Sequence, residues 1–232
     1  MTLRVAVLGA GHFGRFHALK AAKGARTRLV AVHDADAARA AAVAAEVGAP
    51  ALGLAEAIGA ADAVIVAAPT RFHFALGSAV LEAGRHLFME KPIAATLAEA
   101  DALAALAASL GLVLQVGHIE RFSAAFRAVV EAPGRDQALS WEAARVAPFR
   151  PRSLDVSVVL DLMIHDIDLV LTLAGEEPSA VEAVGARVMS DHADFAVARF
   201  RFPSGRAAVI TASRVSLAME RRLRVLGREG EM

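Results

Sequence analysis

Three short stretches of the chain combine residue types and spacings that could do chemistry. The first is Gly9-Ala10-Gly11-His12-Phe13-Gly14, which fits G-x-G-x-x-G and lies between an apolar run at 3–8 and an alanine-rich helical stretch. In that context the first glycine permits a tight turn, the second lets backbone approach a pyrophosphate, and the third lets helix pack on strand. The helix N-terminus then offers unpaired N–H groups and partial positive charge to an anion. Asp34 follows 20 residues after Gly14, at the end of a second apolar run. A carboxylate there can accept both ribose hydroxyls and repels a 2′-phosphate, so the expected cofactor is NAD rather than NADP. The bland alternative is a strand–turn–helix whose glycines serve packing alone.

The second stretch is Glu90-Lys91-Pro92, just after an apolar run at 86–89. The chain has only three lysines, Lys20, Lys23 and Lys91, against 22 arginines. Arginine stays charged, whereas a desolvated lysine can give up its proton and serve as a base. Proline at 92 keeps Lys91 out of the helical region and allows a cis bond. The plain alternative is a surface Glu-Lys pair before a turn. The third stretch is Asp161-Leu-Met-Ile-His165-Asp-Ile-Asp168. On an α-helix, residues 161, 165 and 168 share a face and align carboxylate, imidazole and carboxylate, while Asp166 points elsewhere. An imidazole set by a carboxylate can act as general acid/base. The alternative is a core histidine satisfied by its helical neighbour. The spacing lacks an evident third ligand, so no metal is expected.

The elements that must position these groups fall into two patterns. Up to about residue 116, apolar strands (3–8, 29–33, 63–68, 86–89, 112–116) alternate with helices (to 23, 35–47, 72–83, 96–110). That alternation predicts a parallel sheet covered on both faces. After about 131 come strands at 138–146, 180–189, 195–202 and 207–215, with one helix at 155–173. A mostly antiparallel sheet follows. The fold class is therefore α/β, with a Rossmann dinucleotide-binding domain over 1–119 and a second α/β domain over 120–232 for substrate binding and oligomerisation.

Composition narrows the function classes. Lys+Arg and Asp+Glu balance at 25 each, which argues against a nucleic-acid or membrane-surface footprint. No cysteine is present, so disulfides and thiolate chemistry are excluded. The longest uncharged run, 102–119, holds Ser109, Gly111, Gln115, Gly117 and His118, and reads as helix, turn and strand rather than a membrane span. An apolar strand starting at Leu3 leaves no room for a leader, so a cytoplasmic location is expected.

Taken together, G-A-G-H-F-G, the 69–73 segment, Glu90-Lys91-Pro92 and the Asp161/His165 helix resemble the Gfo/Idh/MocA oxidoreductases, from Leu3 to about Arg224. The resemblance implies that Lys91, Asp161 and His165 are the catalytic set. It also implies cofactor contacts by Gly9, Gly11, His12, Phe13, Gly14, Asp34, Thr70, His73, Glu90 and Lys91. Segments 116–122, 147–152, 159–168 and 211–216 look most like members that oxidise UDP-N-acetylglucosamine at C3, although Ser123-Ala124 replaces their usual Asn-Pro. This likeness adds Arg121, Arg150, Arg152 and Asp168, with Lys91 and His165, as substrate contacts. Arg150 and Arg152 either hold a diphosphate or belong to a solvated loop. Family members are usually longer, so the second domain is expected to be short at its C-terminus, with an open sheet edge after 222–226. A homo-oligomer, dimer or tetramer, formed through the outer sheet face is also implied. Two other readings stay open: an inositol or free-monosaccharide dehydrogenase, and a non-catalytic dinucleotide-binding protein.

Overall fold

The continuous apolar runs of the first half become a parallel sheet. The computed structural model describes residues 2–151, 154–228 and 230–231. Its elements up to Gly117 are β1 (Leu3–Leu8), α1 (His12–Lys23), β2 (Thr27–His33), α2 (Ala37–Val47), α3 (Leu54–Ala60), β3 (Ala63–Val66), α4 (His73–Glu82), β4 (His86–Met89), α5 (Leu97–Ser109) and β5 (Leu114–Val116). The strands pair in the order β2-β1-β3-β4-β5, all parallel. Because the order runs outward from β1 in both directions, a crevice opens beyond the C-terminal ends of β1 and β3. Side chains alternate as a strand requires: Val5 and Val7 pack in one buried cluster, Ala6 and Leu8 in another on the opposite face.

Local capping explains where the helices start and stop. Asp36 accepts the Arg39 N–H at the start of α2, and Gly48 ends that helix with φ +70°. Thr96 and Glu99 form a reciprocal capping box on α5. The short α3 was not expected from sequence. Its alanine-rich stretch has little periodic contrast, and its start is fixed by Glu56 reaching back to the Gly53 N–H at 3.1 Å.

From His118 onward a second compact unit follows. It contains α6 (Ala124–Glu131), β6 (Ala138–Val146), α7 (Ile164–Ala174), β7 (Ala180–Ala186), β8 (Phe195–Arg201), β9 (Ala207–Ser213), β10 (Glu220–Gly227) and β11 (Gly230–Glu231). The six strands run in the order β11-β10-β6-β9-β8-β7, with β6 and β9 parallel and every other pair antiparallel. One face carries the core, where Trp141, Ile210 and Phe200 meet Met163 and Val170 from the helical segment. Trp141 meets Phe202 edge-to-face at 5.8 Å, with Arg206 stacked over the indole. On the uncovered face Val184 and Val209 are exposed. Helix α6 was also not foreseen; Ser123 caps it through the Phe126 N–H at 3.2 Å.

The single helix expected over 155–173 differs in a way that bears on the site. Residues Val159–Met163 form a π-helical turn, and regular α-helix begins only at Ile164. Such a turn inserts a residue into the 3.6-residue repeat and rotates what precedes it. Asp161 therefore lies within the π-helical turn and His165 on the first turn of the regular helix, rather than both on one unbroken α-helix. Among the described residues, no helix is long and apolar enough to cross a membrane.

Candidate active site

The glycine loop sits at the crevice of the parallel sheet, and each glycine has a distinct steric reason. Gly9 has φ +96°, and a Cβ there would lie 2.6 Å from the Ala67 carbonyl oxygen. A Cβ on Gly14 would lie 1.7 Å from the Gly9 carbonyl oxygen, so the helix could not approach the loop. Gly11 is different: its Cβ would meet no protein atom within 4 Å. The chain leaves that space open at the start of α1, where no side chain caps the helix. Its first N–H groups thus remain available to an anion.

This loop forms one wall of a cleft of about 750 Å³, whose lining includes Gly9, Gly11, Asp34, Arg39, Ala68 and Phe72. Asp34 is fixed by backbone: the Ala10 N–H donates to Oδ2 at 2.6 Å and the Asp36 N–H to Oδ1 at 2.9 Å. Arg39 Nη1 lies 3.5 Å from Oδ1. His12 and Phe13 are exposed on the first turn of α1 with their rings edge-to-face at 5.4 Å, and Phe13 lines the cleft. The volume, the open space at Gly11 and the rigidly held carboxylate fit a dinucleotide. Thr70 is buried in the turn after β3. His73 is only 1% exposed, and its ring is turned to two carbonyls: Nδ1 lies 2.7 Å from Pro92 O and Nε2 2.8 Å from Ala68 O. Lys91 follows β4, its N–H donating to Glu90 Oε2 at 3.2 Å, and the Lys91–Pro92 bond is cis.

In the second unit, Asp161 is buried in the π-helical turn and His165 is half-buried on the first turn of α7. Asp161 lines a small notch of about 50 Å³ with Arg145, Arg150, Arg214 and Arg221. Arg150 is exposed at its rim, while Arg152 lies outside the described residues. Asp168 is engaged by Arg121 through two hydrogen bonds of 2.7 and 2.5 Å, with His118 Nδ1 at 3.6 Å. This bidentate pairing raises the Arg121 pKa and joins the segment at 119–122 to α7.

Two buried ion pairs whose arginines line the notch escaped the sequence reading. Arg145 donates Nε and Nη2 to Asp166 at 2.9 Å each, and Nη1 to Glu120 at 3.3 Å. Burial pushes the Asp166 carboxyl up against the pull of Arg145. Arg214 donates Nε to Asp194 at 2.7 Å and Nη1 to the Val156 carbonyl at 3.1 Å. Asp194 is fully buried and accepts from Val188, Met189 and Ser190 as well. Despite burial, those donors and Arg214 hold its carboxyl well below the usual range. A signal for Arg145 existed. It sits at the inward phase of β6 with Trp141 and Ala143, where an unpaired charge would be costly.

A parallel doubly wound sheet with a glycine loop, an open cleft and a carboxylate held by backbone at its edge, followed by a second sheet domain, is the architecture of a dinucleotide-binding oxidoreductase. Two family profiles cover almost the whole chain: an oxidoreductase family with an NAD-binding Rossmann fold over residues 3–118, and the GFO/IDH/MocA C-terminal domain over 115–232. The chain belongs to the Gfo/Idh/MocA oxidoreductase family.

It is 45% identical over 224 residues to UDP-N-acetylglucosamine 3-dehydrogenase of Acidithiobacillus ferrooxidans, spanning 96% of this chain and 71% of that protein. The crystal structure of that enzyme superposes with a TM-score of 0.90 at 43% identity, over 98% of this chain and 75% of the other. Inositol 2-dehydrogenase of Rhizobium meliloti is more distant, 31% identical over 99% of this chain and 74% of its own length. GenD2 from gentamicin A biosynthesis, solved in complex with NAD, superposes at 26% identity with a TM-score of 0.90, over 99% of this chain and 71% of the other.

Proposed function

We propose that this protein is an NAD-dependent dehydrogenase that oxidises the C3 hydroxyl of UDP-N-acetylglucosamine or a close nucleotide sugar. The observation that carries the reading is 45% identity over 96% of the chain to an enzyme of that name, and the glycine loop, Lys91, Asp161 and His165 of this sequence supply groups that such a reaction needs. The unit up to Gly117 serves as the cofactor domain and the remainder as the substrate domain. Asp34 directs the choice of NAD over NADP, because its fixed carboxylate accepts ribose hydroxyls and repels a 2′-phosphate. The uncovered sheet face, with Val184 and Val209 exposed, supports association between copies of the chain.

In the reaction, Lys91 hydrogen-bonds the reacting hydroxyl and draws off its proton as the C–H bond breaks. The bound nicotinamide supplies the acceptor for the hydride. His165, with Asp161 as its acidic partner, acts as acid/base toward the substrate hydroxyls. Arg121 and Asp168, joined as a pair, shape the substrate side, and Arg150 offers its guanidinium to a diphosphate oxygen. Thr70 and His73 support the cofactor side from the turn after β3, and Glu90 does so from the end of β4.

The test is reduced-nicotinamide absorbance after mixing the chain with NAD and UDP-N-acetylglucosamine, myo-inositol or glucose. Growth with the nucleotide sugar alone is the expected result. Growth with myo-inositol instead assigns the chain to the inositol dehydrogenases, and NAD binding without turnover on any substrate leaves a non-catalytic dinucleotide-binding protein.

A further inference from the structure

The Glu90-Lys91-Pro92 segment is gripped from two sides by histidines. His17, one turn after Gly14 on α1, places Nε2 2.6 Å from Glu90 Oε1. The other oxygen of that carboxylate accepts the Lys91 N–H. The Glu90 side chain is 13% exposed and the His17 side chain 22%, so water competes only weakly for either group. Phe88 meets the His17 ring edge-on at 5.3 Å and limits its rotation. Opposite the carboxylate, a Cβ on Gly117 would stand 3.2 Å from Glu90 Oε2 and 3.1 Å from the Phe88 ring, so that residue has little room for a side chain. On the far side His73 Nδ1 lies 2.7 Å from the Pro92 carbonyl.

We propose that His17 is a positioning residue: through Glu90 it sets the placement of the Lys91 backbone and couples it to the helix that begins at the glycine loop. This inference rests on Lys91 being the proton-accepting group. His17 contacts Glu90 and Phe88 and need touch neither substrate nor cofactor. The consequence is that Glu90 and the Lys91 backbone are held against α1 whether or not cofactor is bound. Misplacement of a reacting group by about 1 Å can cost on the order of 100-fold in rate.

The test uses the three-lysine composition of the chain. Lys20 and Lys23 lie at the C-terminal end of α1 and serve as internal standards for an amine-labelling reagent read by mass spectrometry. Without cofactor, His17→Leu is expected to change the labelling rate of Lys91 several-fold relative to Lys20 and Lys23. It should also lower kcat about 10-fold with the Kd for NAD within twofold. His17→Gln, whose amide nitrogen can take the place of Nε2, should restore both readouts. If His17→Leu does not fold, His17→Asn, too short to reach Glu90, replaces it in the comparison with His17→Gln. Native labelling and native kcat in the variant unable to reach Glu90 would overturn the proposal, as would a loss that follows NAD affinity or is not rescued by glutamine. Full turnover in Lys91→Met would instead remove Lys91 from the chemistry, while the labelling ratio would still report on His17.

Discussion

The two units bury very different interiors. Up to Gly117 the buried polar side chains among the described residues are Thr70 and His73, and the cores on both sheet faces are alanine, valine, leucine and isoleucine with one methionine. Beyond it, Arg145, Asp161, Asp166, Asp168, Asp194, Ser213 and Arg214 are all buried. The cofactor unit makes its cleft from backbone: glycines that clear space, N–H groups at a helix start, and a carboxylate held by two main-chain donors. The second unit makes its site from side-chain charges that must be desolvated and paired. A site built from backbone fails when a Cβ is added, and a site built from buried charge fails when a partner is removed.

The largest effect that would break this comparison belongs to Asp194. Asp194→Ala strands Arg214 and frees four other donors, and should cost about 3–5 kcal/mol in denaturant unfolding. Because the folded carboxyl is held below its unfolded value, its contribution is complete above the unfolded pKa, near ~4. It is lost progressively as pH falls below that value, so the stability gap between the native protein and Asp194→Ala should narrow in acid. Asp166 sharpens the contrast. Burial pushes its carboxyl up, so Asp166→Asn should cost less than Asp194→Asn in the same measurement.

Gly14→Ala comes next. A methyl placed 1.7 Å from the Gly9 carbonyl must displace loop from helix, an overpacking cost of about 1–3 kcal/mol in denaturant unfolding, and the displaced loop should weaken NAD binding by about 10-fold or more in calorimetry. The smallest effect is expected of Arg150→Ala. Losing an exposed charge-assisted contact should raise KM for the nucleotide sugar about 5- to 10-fold with kcat unchanged.

The sequence reveals the cofactor unit more fully than its neighbour, and the reason is physical. Strand β1, the loop 9–14, Asp34 and Lys91 lie along a regular strand–helix alternation, where period and punctuation are local signals. The short α3 and α6 span only about two turns each, too few for period to stand out from the flanking chain, and both are fixed by capping contacts with Glu56 and Ser123. In the second unit Arg145 meets Asp166 from 21 residues away and Arg214 meets Asp194 from 20. Neither pairing is written in any spacing rule. The π-helical turn at Val159–Met163 is equally hidden, because an apolar stretch reads as continuous helix whether or not one residue is inserted.

The most direct test of the account is hydride transfer by Lys91→Met beside the native chain, with NAD and UDP-N-acetylglucosamine, together with NAD affinity measured separately. The account predicts that turnover falls by about 100- to 10,000-fold while the Kd for NAD stays within twofold. Turnover within threefold of native, with NAD still bound, would contradict it and remove Lys91 from the reaction.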